Sequence, residues 1–200
     1  MPGMADSVRD YWDTQAPTFD DEADHGLRDL DVREAWRDLL LPLLPRVPAT
    51  VADLGCGTGS LSVLLAEAGY DVRGVDLSAR MVEAAIAKAA AAGVAVELQQ
   101  ADAADPPFQA GSCDVVLARH VVWALPDPDA AMGRWVDLLR PSGHLILVEG
   151  SWSTGAGLTA AACEALVLRH RTSATVRQLR EPLLWGGPVD DERYLLVSPD

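Results

Sequence analysis

Two hundred residues, 49% of them hydrophobic, are enough for one globular domain with a sizeable core. A formal net charge of −14 repels phosphate backbones and anionic lipid, which excludes nucleic acid and anionic membrane as natural partners. Three cysteines, Cys56, Cys113 and Cys163, stand far apart without metal-ligand spacing, so they read as small buried thiols and no metal is expected.

The first seven residues show no pattern and are expected to fray. Residues 8–15 place Val8, Tyr11 and Trp12 at helical spacing, and an acidic turn follows over residues 17–22. Residues 31–44 carry one apolar stripe, Val32, Ala35, Trp36, Leu39, Leu40 and Leu43, that Pro45 and Pro48 end; it reads as a core-packing helix. From Val51 strands and helices alternate. A strand enters Gly55-Cys56-Gly57-Thr58-Gly59, and a helical segment follows over residues 60–68. Residues 71–76 form a second strand. Ser78 caps an alanine-rich helix that runs to Ala92 and stops at Gly93. Third, fourth and fifth strands are expected at residues 94–99, 113–118 and 144–149, with a helix over 128–139. The fourth is almost continuously apolar, as a central parallel strand should be. Beyond Gly150 a helix over 158–171 precedes an antiparallel pair, residues 175–179 and 193–198. The fold class is α/β, a doubly wound sheet in one domain: residues 1–48 an N-terminal helical segment, 49–150 the core, 151–200 a C-terminal helix and hairpin.

Strand, glycine turn, helix is how an open α/β sheet lays its backbone against a nucleotide-like ligand. The acid Asp53 selects among such ligands. Pyrophosphate at a helix N-terminus wants positive charge, and a carboxylate at the strand end repels it. Ser60 also stands where G-x-G-x-x-G needs its third glycine. An adenosine without phosphate, bearing a cationic centre, tolerates Asp53.

Asp53-Leu54-Gly55-Cys56-Gly57-Thr58-Gly59 resembles the glycine motif of the class I S-adenosylmethionine (SAM)-dependent methyltransferases, of the small-molecule type, and the likeness runs over residues 51–150, about half the chain. It implies a Rossmann-like seven-stranded sheet, mostly parallel with the last strand antiparallel. It also implies that Tyr11-Trp12-Asp13…Ala16…Phe19-Asp20 folds over the cofactor as a lid; an amphipathic helix packed on the sheet edge is the open alternative. Asp53 would act near the methionine amino group, and Gly55, Cys56, Gly57 and Gly59 would let the chain approach the methionine and ribose. Asp76 follows Gly55 by 76 − 55 = 21 residues, close to the ~20 expected for an acid on ribose hydroxyls. Leu77 would pack on adenine. Asp102, with Ala103 beside it, resembles the acid that accepts from the adenine amino group, unless it is an ordinary turn residue. Arg119 joins the cofactor set, with an acidic acceptor or a local acid as its other partners.

The acceptor pocket is expected above the fourth and fifth strands and the final hairpin. His120 is the candidate catalytic base because its intrinsic pKa lies near neutrality; a hydrogen-bonded structural histidine is the alternative. Tyr11, Trp12, Phe19, His25, Trp123, Trp152 and Trp185 are candidate pocket residues, and their flat rings favour an aromatic or heteroaromatic acceptor. The expected reaction is direct displacement of the SAM methyl group onto a nitrogen or oxygen, leaving S-adenosylhomocysteine (SAH), in a cytoplasmic monomer or homodimer. An NAD(P)-dependent oxidoreductase and a non-catalytic SAM-binding module remain the rivals.

Overall fold

A computed structural model describes residues 4–199, with side chains from residue 7 onward. Among the described residues the chain order is α1 (Met4–Gln15), α2 (Ala23–Gly26), α3 (Leu30–Leu40), β1 (Thr50–Leu54), α4 (Ser60–Glu67), β2 (Asp71–Asp76), α5 (Ala79–Ala92), β3 (Glu97–Gln100), β4 (Cys113–Arg119), α6 (Pro128–Asp137), β5 (Leu139–Ser151), α7 (Ala160–Val167), β6 (Thr175–Gln178) and β7 (Glu192–Ser198). The strands form one sheet in the order β3-β2-β1-β4-β5-β7-β6. Only β7 runs against its neighbours, β5 and β6. The order reverses at β1, between β2 and β4, and a doubly wound sheet binds ligand at that switch point, beyond the carboxyl ends of its strands.

Strand alternation divides the core into two layers. Ala52, Leu54, Val116, Ala118, Leu145 and Leu147 face α6 and α7, where they meet Met132, Trp135, Cys163 and Tyr194. Val51, Val115, Leu117, Ile146 and Val148 face the other way, onto Trp36, Leu40, Leu61, Leu64, Leu65 and Trp185. The apolar stripe of α3 therefore does pack into the core, through Val32, Trp36, Leu39 and Leu40. Cys113 and Cys163 are buried, Cys56 is half-buried, and all three thiols are free.

Several boundaries differ from the sequence expectation. Residues 4–7 are helical rather than frayed, because α1 begins at Met4; residues 1–3 lie outside the described residues. The helix α3 stops at Leu40 and tightens into a 3-10 turn, Leu41–Leu43. Pro42 has no N–H with which to continue the α-helical ladder. The third strand starts at Glu97 rather than residue 94, because the Val94 N–H still closes the end of α5 on the Ala89 carbonyl at 3.1 Å. The fifth begins at Leu139, since Leu139 already pairs with Cys113. The last helix is shorter than residues 158–171: Thr159 caps it by accepting from the Ala162 N–H at 3.3 Å.

Candidate functional site

The site grows from the carboxyl end of β1. Leu54 leads into a turn in which Gly55, Gly57 and Gly59 all have positive φ, +72°, +54° and +76°. All three also stand in close quarters. A Cβ would lie 2.4 Å from Val121 Cγ2 on Gly55, 2.7 Å from Ala85 Cβ on Gly59 and 3.1 Å from Phe19 Cε1 on Gly57. The turn is tied to β2 on both sides. The Gly55 and Cys56 N–H groups donate to the Val75 carbonyl at 2.8 and 2.9 Å. The Gly57 N–H donates to Asp76 Oδ2 at 2.9 Å, while Asp76 Oδ1 accepts from the Ser78 N–H at 2.9 Å. Asp76 thus joins two turns with one carboxylate and keeps lone pairs for a further donor. Burial raises its pKa, against the pull of those backbone N–H groups.

Asp53 is 3% exposed, and its Oδ2 accepts from Ser62 Oγ at 2.5 Å. Burial raises its pKa to about 6, with the Ser62 bond and the Arg119 charge opposing. Arg119 ends β4, with its guanidinium 5.0 Å above the Trp36 ring and donating to the Asp24 carbonyl of the N-terminal segment. Desolvation lowers its pKa, with Asp24 and Asp53 countering.

His120 follows at φ +60°, held by its N–H on the Val148 carbonyl at 2.8 Å. Its side chain is 12% exposed. Both ring nitrogens are shielded without a hydrogen-bond partner, and Nε2 lies 3.9 Å from Asp24 Oδ2, beyond hydrogen-bond reach. Burial and the nearby Arg119, Arg193 and His25 hold its pKa well below the ordinary histidine value, so the ring is neutral. The turn after it hangs on Glu149, whose Oε1 accepts from the Val121 and Val122 N–H groups at 2.8 and 2.7 Å. Burial pushes the Glu149 pKa up to about 8.

The expected pocket residues divide into three sets. Tyr11, Trp12 and Trp123 line an open groove of about 380 Å³ together with Ser7, Val8 and Ala124. Phe19, His25 and Trp152 instead build a half-buried aromatic row around His120. His25 stacks on Phe19 at 4.2 Å, and His120 meets His25 at 6.4 Å and Trp152 at 5.3 Å. Trp185 belongs to the core, edge-on to Trp36 at 5.4 Å and donating to the Leu179 carbonyl at 3.2 Å. Leu77 is half-buried and Ala103 buried. Asp102 is exposed in a turn of its own, where Oδ1 accepts from the Ala104 N–H at 2.8 Å.

Sequence reasoning placed Asp13 and Asp20 in the lid pattern without giving them partners, and passed over Asp24, Lys88 and Glu149. Asp24 reads as one more surface acid in a chain that carries 30 acidic residues. Only Lys88 carried a signal, being the one lysine in the chain, set in an alanine-rich helix.

These donors and acceptors fit an adenosyl sulfonium better than a diphosphate. Asp53 and Asp76 flank the turn, and the two cations that approach it, Arg119 and Lys88, are engaged by the Asp24 carbonyl and the Asp20 carboxylate. Vicinal hydroxyls and an ammonium find acceptors there, whereas phosphates meet acids. A family model described as "Methyltransferase domain" matches residues 52–147. The chain belongs to the class I SAM-dependent methyltransferases. That membership sets aside the nicotinamide-dependent rival. The chain is 36% identical over 154 residues to nocamycin O-methyltransferase of Saccharothrix syringae, covering 69% of this chain and 55% of that one. It is 33% identical over 138 residues to a ubiquinone biosynthesis O-methyltransferase of Cupriavidus pinatubonensis, covering 68% and 52%. The chain therefore spans about half the length of these curated relatives. In fold it resembles the [4+2]-cyclase SpnF, with a TM-score of 0.81 at 16% identity over 100% of this chain and 97% of that one. Among the described residues no group of three or more His, Cys, Asp or Glu is placed to hold a metal ion, and no helix is long and apolar enough to cross a membrane.

Proposed function

We propose that the methyltransferase transfers a methyl group from SAM to an oxygen or nitrogen of a small aromatic or heteroaromatic molecule. The observation that carries this reading is the tether of Asp76 to Gly57 beside the buried Asp53, a cradle with acids where a diphosphate site needs donors. Oxygen is the favoured acceptor atom, because the two relatives described above are named O-methyltransferases.

When bound, SAM supplies a methyl group made electrophilic by the adjoining sulfonium. The chain's part is to hold and align. Asp76 accepts from the ribose hydroxyls, Asp53 faces the ammonium, Arg119 turns its donors not held by the Asp24 carbonyl toward the carboxylate, and Leu77 and Asp102 serve the adenine. The groove of Val8, Tyr11, Trp12 and Trp123 receives the acceptor, and residues 1–48 act as the lid that excludes water. Such alignment supplies roughly 7–11 kcal/mol of the barrier. His120, neutral and with both nitrogens unengaged, takes the proton from the acceptor hydroxyl or N–H.

Thermal-shift titration with SAM, SAH and NAD tests the cofactor, and incubation with methyl-labelled SAM and a phenol and heteroaromatic library tests the transfer. Stabilisation by SAM and SAH with labelled product is the expected result. Stabilisation by NAD alone sinks the reading, and SAM binding without any product reduces it to a binding module.

A further inference from the structure

Lys88 projects from α5 toward the first turn of α4, 22% exposed in its side chain. Its Nζ lies 2.8 Å from Asp20 Oδ2, and it donates to Thr58 Oγ1 at 3.0 Å and Ser60 Oγ at 2.6 Å. The three ammonium protons thus have three partners: one on the N-terminal segment, one in the glycine turn and one at the start of α4. Asp20, 17% exposed, also accepts from Thr58 Oγ1 at 2.5 Å. Ser60 Oγ in turn donates to the Gly26 carbonyl at 3.2 Å, so both hydroxyls of the cluster also reach back to the N-terminal segment. Between these contacts the Phe19 ring covers the bare face of Gly57. A second clasp lies at the N-terminus of the same helix, α5: Asp13 Oδ1 accepts from Ser78 Oγ at 2.5 Å and from the Arg80 N–H at 3.3 Å.

The placement argues for more than added stability. An apolar edge alone lets a covering segment slide, whereas a sheltered ion pair with filled hydrogen bonds fixes one register. Removing either partner leaves a charge poorly solvated, so the closed arrangement depends on both. Exposed pairs elsewhere on the chain, such as Arg28 with Asp21, have water as a ready substitute.

We propose that the Asp20–Lys88 pair is the latch that fastens the N-terminal segment over the glycine turn, making Lys88 a positioning residue that governs passage into and out of the cradle. The latch rests on the preceding reading only for the identity of what passes.

Lys88 being the single lysine permits a direct test on the full chain. Reductive dimethylation with formaldehyde and cyanoborohydride is followed by peptide mass spectrometry, with the N-terminal amine as internal reference. In the wild type Lys88 reacts slowly. Asp20→Asn, checked for an unchanged circular-dichroism spectrum, is expected to react at least tenfold faster. Release of SAH, measured by stopped flow, is expected to speed up by a similar factor in Asp20→Asn and Lys88→Met and to return near wild type in Lys88→Arg. Equal labelling rates in wild type and Asp20→Asn overturn the latch, as do equal release rates in Lys88→Met and Lys88→Arg. If SAH binds none of the proteins while the labelling difference persists, the cofactor reading fails and the latch stands.

Discussion

The Asp76 carboxylate receives the Gly57 N–H at 2.9 Å, so the acid that ends β2 holds the centre of the turn that follows β1. One residue therefore shapes the cradle and offers it acceptors. Hydrogen bonds to a charged group contribute roughly 1.5–3 kcal/mol each. Asp76→Ala should weaken SAM binding by about tenfold to a few hundredfold. Asp76→Asn, which keeps one acceptor oxygen, should fall between. Isothermal titration checks both, and an unchanged dissociation constant in Asp76→Ala removes the ribose role.

Sequence reasoning reached Asp53, Asp76 and the glycine turn because their chemistry is local: a strand, a tight turn and a helix lie within a few residues of each other. The doubly wound α/β class followed from alternation, and Asp71–Asp76 was legible to the residue. The resemblance suggested that the N-terminal segment folds over the site, but the side-chain partners that hold it there were not legible. Asp13, Asp20 and Asp24 acquire partners only when the chain closes across 65, 68 and 95 residues onto Ser78, Lys88 and Arg119, the last through the Asp24 carbonyl. No periodicity encodes that. The candidate pocket residues could not be divided between groove and aromatic row from the sequence, because a tryptophan reads alike in both. Trp185 shows this: its ring fills the core behind the site rather than an open surface.

The groove beside α1 yields a separable effect. Tyr11 is 56% exposed on its rim and edge-on to Trp12 at 5.1 Å, so truncating it costs little stability. Tyr11→Ser should raise the KM for the acceptor severalfold while leaving SAH affinity and Tm near wild type. Steady-state kinetics with the acceptor identified by the labelling screen reads the effect, and an unmoved KM places the acceptor elsewhere.

Glu149 gives a pH signature in stability. Its pKa is raised from 4.5 to about 8, mainly by burial, so the folded chain holds a proton that the unfolded chain has lost. Its contribution is fully present below pH about 4.5 and is lost progressively as pH rises toward about 8, beyond which the stability levels off. The total change is of the order of a few kcal/mol. Glu149→Gln keeps a carbonyl oxygen for the Val121 and Val122 N–H groups but cannot ionise. The difference between wild type and Glu149→Gln in urea melts should therefore shift in favour of the variant as pH rises from 5 to 8. A difference that stays constant across that range shows that Glu149 is ionised in the fold.

His120 sits between two backbone anchors, its N–H on the Val148 carbonyl and its own carbonyl receiving Trp123 Nε1 at 2.9 Å, so the ring is aimed by the main chain. Asn tolerates the left-handed backbone at φ +60°, which makes His120→Asn the replacement least disturbing to the turn. Loss of a positioned base costs roughly 10²–10⁴ in rate. His120→Asn should lower kcat by that order with SAH affinity unchanged. Because desolvation holds the His120 pKa well below the ordinary histidine value, the ring does not take up its proton as pH falls through that value. The wild-type rate should accordingly show no acid limb at the ordinary histidine value of about 6.5 and should fall only under more acidic conditions. A limb at 6.5 that vanishes in His120→Asn contradicts the sheltered, neutral ring, and an undiminished kcat removes His120 from the proton transfer.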